Sequence, residues 1–221
     1  MRPVLLINFK TYEQGTGKRA LSIAKSAERI AKRKGVKIAL SVQPTDLERV
    51  SKAVSLPVYA QHIDPITPGS HTGWILPDAV KEAGACGTLI NHSEHNIELG
   101  KVAENVKICR EHGLISVCCA ATPAKAKKIA AFAPNYIAIE PPELIGGDVS
   151  VSKAKPGIIS GTVKVVKSVN KKIAVLCGAG VNSQEDVSKA LQLGAEGVLV
   201  ASAIVKSGNP GKVILDLVSG F

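Results

Sequence analysis

The stretch Ile115-Ser-Val-Cys-Cys-Ala120-Ala-Thr-Pro123-Ala-Lys-Ala-Lys-Lys-Ile-Ala-Ala-Phe132-Ala-Pro-Asn-Tyr136-Ile-Ala-Ile-Glu140 holds one complete strand–helix–strand unit. Residues 115–120 are apolar apart from Ser116 and too short for a helix, so they read as a strand. Thr122 then offers a helix N-cap, and Pro123 suits the first turn, where its missing N–H is not needed. The helix is expected over 124–132. Residues 136–140 form a second apolar run that ends on a carboxylate. Strands apolar on both faces belong to a parallel sheet covered on both sides.

Working outward, the same unit recurs. Strands are expected at 4–9, 37–42, 57–61, 87–91, 115–120, 136–140, 173–177 and 197–201. Their starts are spaced by roughly 20 to 37 residues, room for one βα unit each. Thr16-Gly17 leads into a helix over 18–33, which Gly35 stops. Ser183 precedes Gln184-Glu185-Asp186, acids in a first turn, and Gly194 closes that helix. Eight such units without a composition break imply an α/β fold: one (β/α)8 barrel with a parallel eight-stranded sheet, a single domain over 1–221. The alternative is an open doubly wound sheet.

Composition narrows the function. With 45% hydrophobic and only 3% aromatic residues, Val, Ile, Leu and Ala must fill the core. No apolar run approaches the ~20 residues that span a bilayer. The first run, 4–7, is soon followed by Lys10 and does not read as a cleaved signal, so a cytoplasmic location is expected. Five cysteines show no CxxC spacing, and the adjacent pair Cys118 and Cys119 must point to opposite strand faces. Reduced, buried thiols fit better than disulfides or zinc. The formal charge of +10 raises nucleic acid as a partner. The lysines instead fall on solvated helix faces, and few aromatics are present to stack on bases. A small anionic substrate suits the same charge.

Barrel enzymes build their sites from the loops after the strands' C-terminal ends. Those ends read Asn8-Phe9-Lys10, Asn91-His92-Ser93-Glu94, Glu140, Cys177-Gly178-Ala179-Gly180 and Ala201-Ser202. Taken singly, Lys10 reads as a surface lysine and His92 as a hydrogen-bonded loop residue. His92 and His95 have an i, i+3 metal spacing, but no third ligand is suitably placed. Gly178-x-Gly180 lacks the third glycine and the later acid of a dinucleotide fingerprint, and suits a phosphate better. After Glu140, the loop Pro141, Pro142, Glu143, Leu144, Ile145, Gly146 combines stiff arms with a permissive hinge, as a lid would need. A carboxylate, an imidazole, a cation and an anion cradle together suit proton abstraction beside a carbonyl in a small phosphorylated substrate.

The set Asn8-x-Lys10, His92-Ser93-Glu94, Glu140-Pro141, Ile145-Gly146 and Gly178-x-Gly180, in that order, resembles the triosephosphate isomerase family, particularly its short archaeal form. The likeness runs over essentially the whole chain. That family is a well-known case of tuned acid and base groups. The resemblance implies that Glu140 shuttles a proton between C1 and C2 of dihydroxyacetone phosphate and glyceraldehyde 3-phosphate. It makes His92 a neutral electrophile, its pKa held down by the following helix N-terminus. It makes Lys10 a counter-charge held by Glu94, and Asn8 an oriented donor. Ile145 would cover Glu140, the backbone near Gly146 would reach the phosphate, and Gly178, Gly180, Ala201 and Ser202 would complete the anion site.

The resemblance also implies no metal and no organic cofactor. It implies a homotetramer, or at least a dimer, in which the loop Gly69-Ser-His-Thr72-Gly-Trp74 projects into a neighbouring subunit. The chain departs from most relatives where Cys177-Gly-Ala-Gly180 replaces Tyr-Gly-Gly-Ser, and where Ala201-Ser202 replaces two glycines. Its short length points to trimmed helices on the strand 4 to 6 side. Two other readings compete: a sugar-phosphate epimerase or synthase with the same cradle, and a non-enzymatic basic barrel that binds RNA or another anion.

Overall fold

Along each strand successive side chains point in opposite directions, and here both directions are buried. Leu5 and Ile7 face one way and Leu6 the other, all at most 1% exposed. The computed structural model describes residues 3–141 and 155–221. Its strands are β1 (Val4–Asn8), β2 (Lys37–Val42), β3 (Val58–Ala60), β4 (Gly87–Ile90), β5 (Ile115–Ala120), β6 (Tyr136–Ile139), β7 (Ala174–Cys177) and β8 (Gly197–Val200). The order is sequential and the sheet closes, β8 pairing in parallel with β1. The barrel expectation holds, and the open sheet is excluded.

Closure separates two cores. Leu6, Ala39, Tyr59, Leu89, Val117, Cys119, Ala138, Leu176 and Leu199 fill the barrel interior. The alternate residues, Leu5, Ile7, Leu40 and Cys118 among them, pack outward. Cys118 and Cys119 therefore lie on opposite faces, as their adjacency requires. At the closing seam a Cβ on Gly197 would sit 2.3 Å from the Val4 carbonyl oxygen, so only glycine lets the two strands approach.

The outer layer contains α1 (Lys18–Lys34), α2 (Leu47–Ser51), α3 (Pro77–Glu82), α4 (Leu99–His112), α5 (Pro123–Ala130), α6 (Pro156–Val169), α7 (Gln184–Gln192), α8 (Ser202–Val205) and α9 (Pro210–Val218). In α1 the buried positions Ala20, Ile23, Ala24, Ala27, Ile30 and Ala31 form one stripe, and its lysines face solvent. Gly35 ends it in the left-handed conformation. Thr122 caps α5 by accepting from the Lys125 N–H, and Ser183 and Asp186 form a full capping box on α7.

Two expectations need correction. Short helices are not confined to the strand 4 to 6 side. Among the described helices, α2 and α3, on the strand 2 to 4 side, have only five and six residues, whereas α4 has fourteen. Several strands also stop one residue early, because the last residue turns away from the ladder. Phe9 and Glu140 still donate their N–H groups to Ser41 O and Ala120 O, each at 2.9 Å. That single tether fixes the backbone at the barrel mouth. No helix among the described residues is long and apolar enough to cross a membrane.

Candidate active site

At the mouth of β1 the chain makes a sharp departure. Asn8 is 3% exposed, and two residues on, Lys10 has a φ of 46°, in the left-handed region that L side chains resist. Asn8 Oδ1 accepts the Lys10 N–H at 2.9 Å and is also reached by Gln61 Nε2 at 3.3 Å. The amide nitrogen of Asn8 is thereby assigned to the side of His92. Lys10 Nζ donates to Glu94 Oε1 at 2.7 Å, an ion pair whose lysine side is only 9% exposed.

After β4, Asn91 also adopts a positive φ of 60°. Its side chain donates to Cys119 O and accepts from the Ile97 N–H, both at 3.0 Å, which pins the loop that presents His92. The His92 ring is buried, and its Nδ1 lies 3.2 Å from the Glu94 N–H. An N–H can only donate, so Nδ1 is the acceptor and Nε2 carries the proton. The expected helix N-terminus does not follow directly. Residues 92–95 form a turn closed by His95 N–H to His92 O at 2.8 Å, and α4 begins only at Leu99. A single turn amide, not a helix end, orients the ring. His95 stacks on His62, ring centroids 4.2 Å apart, and does not form the metal pair its spacing suggested.

Glu140 is 3% exposed, and its Oε1 lies 3.6 Å from His92 Nε2. Burial pushes its carboxyl above the usual carboxylate range; His92, a hydrogen bond from the Cys119 thiol and Lys10 oppose that rise. Oε2 is buried without a hydrogen-bond partner, as is Ser93 Oγ. Both residues line a cavity of about 520 Å³ at the barrel mouth, bounded by the loop after β4, the end of β5 and the helices α4 and α5. Opposite, a Cβ on Gly178 would fall 2.5 Å from Glu140 Cγ, so the glycine after β7 makes room for the acid.

The fold brings eight of the expected residues into one cleft: Asn8, Lys10, His92, Glu140, Gly178, Gly180, Ala201 and Ser202. Gly180 has a φ of 66°, which only glycine adopts freely. Glu94 stands beside the cleft, on an opening of about 410 Å³ that it shares with Tyr12, Gln61 and His62. Pro141 is buried directly after Glu140; Pro142, Glu143, Leu144, Ile145 and Gly146 lie outside the described residues. Sequence reasoning missed Gln61 and Cys119, and quoted Ser93 within the His92-Ser93-Glu94 motif without giving it a role. Gln61 was legible as a polar residue at a strand end, and strand parity could have sent Cys119 inward.

A family model described as triosephosphate isomerase matches residues 3–219. A triosephosphate isomerase from Methanocaldococcus jannaschii is 48% identical over 215 residues, 97% of this chain and 98% of that protein. One from Methanoculleus marisnigri is 50% identical over 217 residues, covering 98% of each. A crystal structure of triosephosphate isomerase from Bartonella henselae superposes with a TM-score of 0.81 over 100% of this chain and 99% of the other, at 20% identity, which speaks to the fold. With the family model and relatives of nearly equal length both matched almost end to end, the chain belongs to the triosephosphate isomerase family.

Proposed function

We propose that Glu140, His92, Asn8 and Lys10 carry out the interconversion of dihydroxyacetone phosphate and D-glyceraldehyde 3-phosphate, the reaction of this family and a step of glycolysis and gluconeogenesis. One observation carries the assignment of roles. Asn8 Nδ2 and His92 Nε2 lie 3.5 Å apart, and both are donors under the assignments above. Two donors converging without an acceptor between them leave a place for an oxygen that gains negative charge. The Glu140 carboxylate stands 3.6 Å from the same imidazole nitrogen, within reach of the carbon beside that oxygen.

In this reading Glu140 takes a proton from C1 of the ketose, and the electron pair moves onto the carbonyl oxygen to give an enediolate. His92 and Asn8 hold that oxygen, and His92 moves a proton between the two oxygens. Glu140 then returns its proton to C2. Lys10, kept in place by Glu94, offsets charge on the phosphate and the enediolate. Main-chain N–H groups around Gly178, Gly180, Ala201 and Ser202 hold the phosphate, and the role read for residues 141–146 is that of a lid that excludes water. The chemistry needs only these side chains and no metal or organic cofactor.

The same proposal extends to assembly and location. Trp74 is 49% exposed at the end of an exposed loop, and the 410 Å³ opening beside Lys10 would admit such a loop from a second copy. This supports a homo-oligomer, a dimer at least and a tetramer by family likeness. Free cysteines fit a reducing, cytoplasmic setting. The test is a coupled assay with glyceraldehyde 3-phosphate, with and without phosphoglycolate. Turnover inhibited by phosphoglycolate is expected, and Glu140→Asp should lower kcat about a hundredfold or more, because retracting the base by ~1 Å spoils the attack geometry. An unchanged rate in that variant would reject the assignment.

A further inference from the structure

The strained backbone at Lys10 is not held by the sheet. β1 ends at Asn8, and the last ladder bond on this segment belongs to Phe9. Side chains hold Lys10 instead. Asn8 Oδ1 accepts its N–H at 2.9 Å, and Gln61 Nε2 donates to its carbonyl oxygen at 2.9 Å. The same Gln61 amide reaches Asn8 Oδ1 at 3.3 Å. One NH2 group thus uses both hydrogens to bridge the two sides of a left-handed residue. It comes from the end of β3, two strands away in the closed sheet.

We infer that Gln61 is a positioning residue for the reaction: it locks the Lys10 backbone in the conformation that aims the ammonium into the substrate cleft. The inference rests on the isomerase reading of the site. A non-glycine residue keeps a left-handed φ only where its surroundings over-determine it. Without Gln61 the Lys10 carbonyl loses its only donor among the described residues, and the backbone can relax toward the ordinary β region. Lys10 Nζ would then swing about a shifted Cα, away from the phosphate and from its partner Glu94. A purely structural role, the satisfying of one partly buried carbonyl, predicts lost stability with unchanged catalysis.

The experiment uses the full chain, the isomerase assay, and the variants Gln61→Met and Gln61→Glu. Methionine keeps the volume and removes the donors, while glutamate presents only acceptors to two oxygens. In Gln61→Met, kcat/KM should fall about tenfold, equivalent to about 1.4 kcal/mol. KM and the inhibition constant of phosphoglycolate should rise with it, and Gln61→Glu should lose more. Thermal melting checks folding, and the hydrophilic Gln61→Glu covers the case in which Gln61→Met fails to fold. In a Lys10→Ala background the Gln61→Met loss should shrink below about threefold, because two residues that act as a unit are not additive. Near-wild-type kinetics in both variants, or a tenfold loss that persists undiminished without Lys10, overturns the inference. An unsubstituted chain with no isomerase turnover overturns the functional reading as well, so the two failures are distinguishable.

Discussion

Gly178→Ala perturbs the catalytic base without touching it chemically. The glycine does not have a left-handed φ, so alanine meets no backbone penalty there. Its Cβ would lie 2.5 Å from Glu140 Cγ, 3.2 Å from Cδ and 3.1 Å from Oε1. Carbon atoms rest at about 3.5 Å or more. The Glu140 side chain must therefore retreat by about 1 Å or the β7 loop must move. Misplacing a reacting group by about that distance costs on the order of a hundredfold in rate, or ~2.7 kcal/mol of transition-state stabilisation. Overpacking should lower stability by a further ~1–3 kcal/mol. The assay is kcat/KM, taken well below the variant's melting temperature so that unfolding does not contribute. In a Glu140→Asp background the side chain is one methylene shorter, and Gly178→Ala should then change the rate by less than about threefold. A single variant with a near-wild-type rate, or an equal loss in both backgrounds, would refute the steric link between Gly178 and the base.

Three further outcomes follow from the same geometry. Because burial raises the Glu140 pKa in the fold, the unfolded chain loses this proton first as pH rises, and stability falls across that window. Glu140→Gln should melt higher than the wild type at pH 7 to 8, with the gap closing below about pH 4.5; parallel pH profiles in thermal melts would contradict this. Lys10→Ala should weaken phosphoglycolate inhibition about 10- to 100-fold at low salt, the worth of one charge-assisted contact, and an unchanged inhibition constant would remove Lys10 from the site. Ser183→Ala breaks the capping box of α7 and should lower stability by about 1 kcal/mol with no loss of kcat; urea titration with turnover checks both halves.

The barrel was legible because its unit is local. Apolar runs bounded by Thr122-Pro123 or Ser183 caps carry their own instructions, and the rule placing chemistry at strand ends gathers Asn8, Lys10, His92, Glu140 and Gly178 without any tertiary input. What escaped was tertiary. The backbone of Lys10 is set by Gln61, 51 residues away. His92 is oriented by one turn amide, and no sequence pattern separates a turn from a frayed helix start at 92–98. The short α2 and α3 escaped because helix length there follows from how much of the sheet Leu47, Val50 and Val80 must cover. The exact ends of β1 and β6 depend on where the polypeptide leaves the ladder, which periodicity does not encode.

The thiol at position 119, sealed within the staves beside the acid, has a practical consequence together with its neighbours. Four of the five sulfurs are buried and only Cys86 is exposed. Burial holds Cys109 and Cys177 up at about 12, so neither reacts as a thiolate at neutral pH while enclosed. A slow alkylating reagent added to the native enzyme should therefore mark one sulfur quickly and the rest only when the closed sheet breathes. The lag becomes an internal clock for opening, with Cys118 and Cys119 timing the two sides of a single strand.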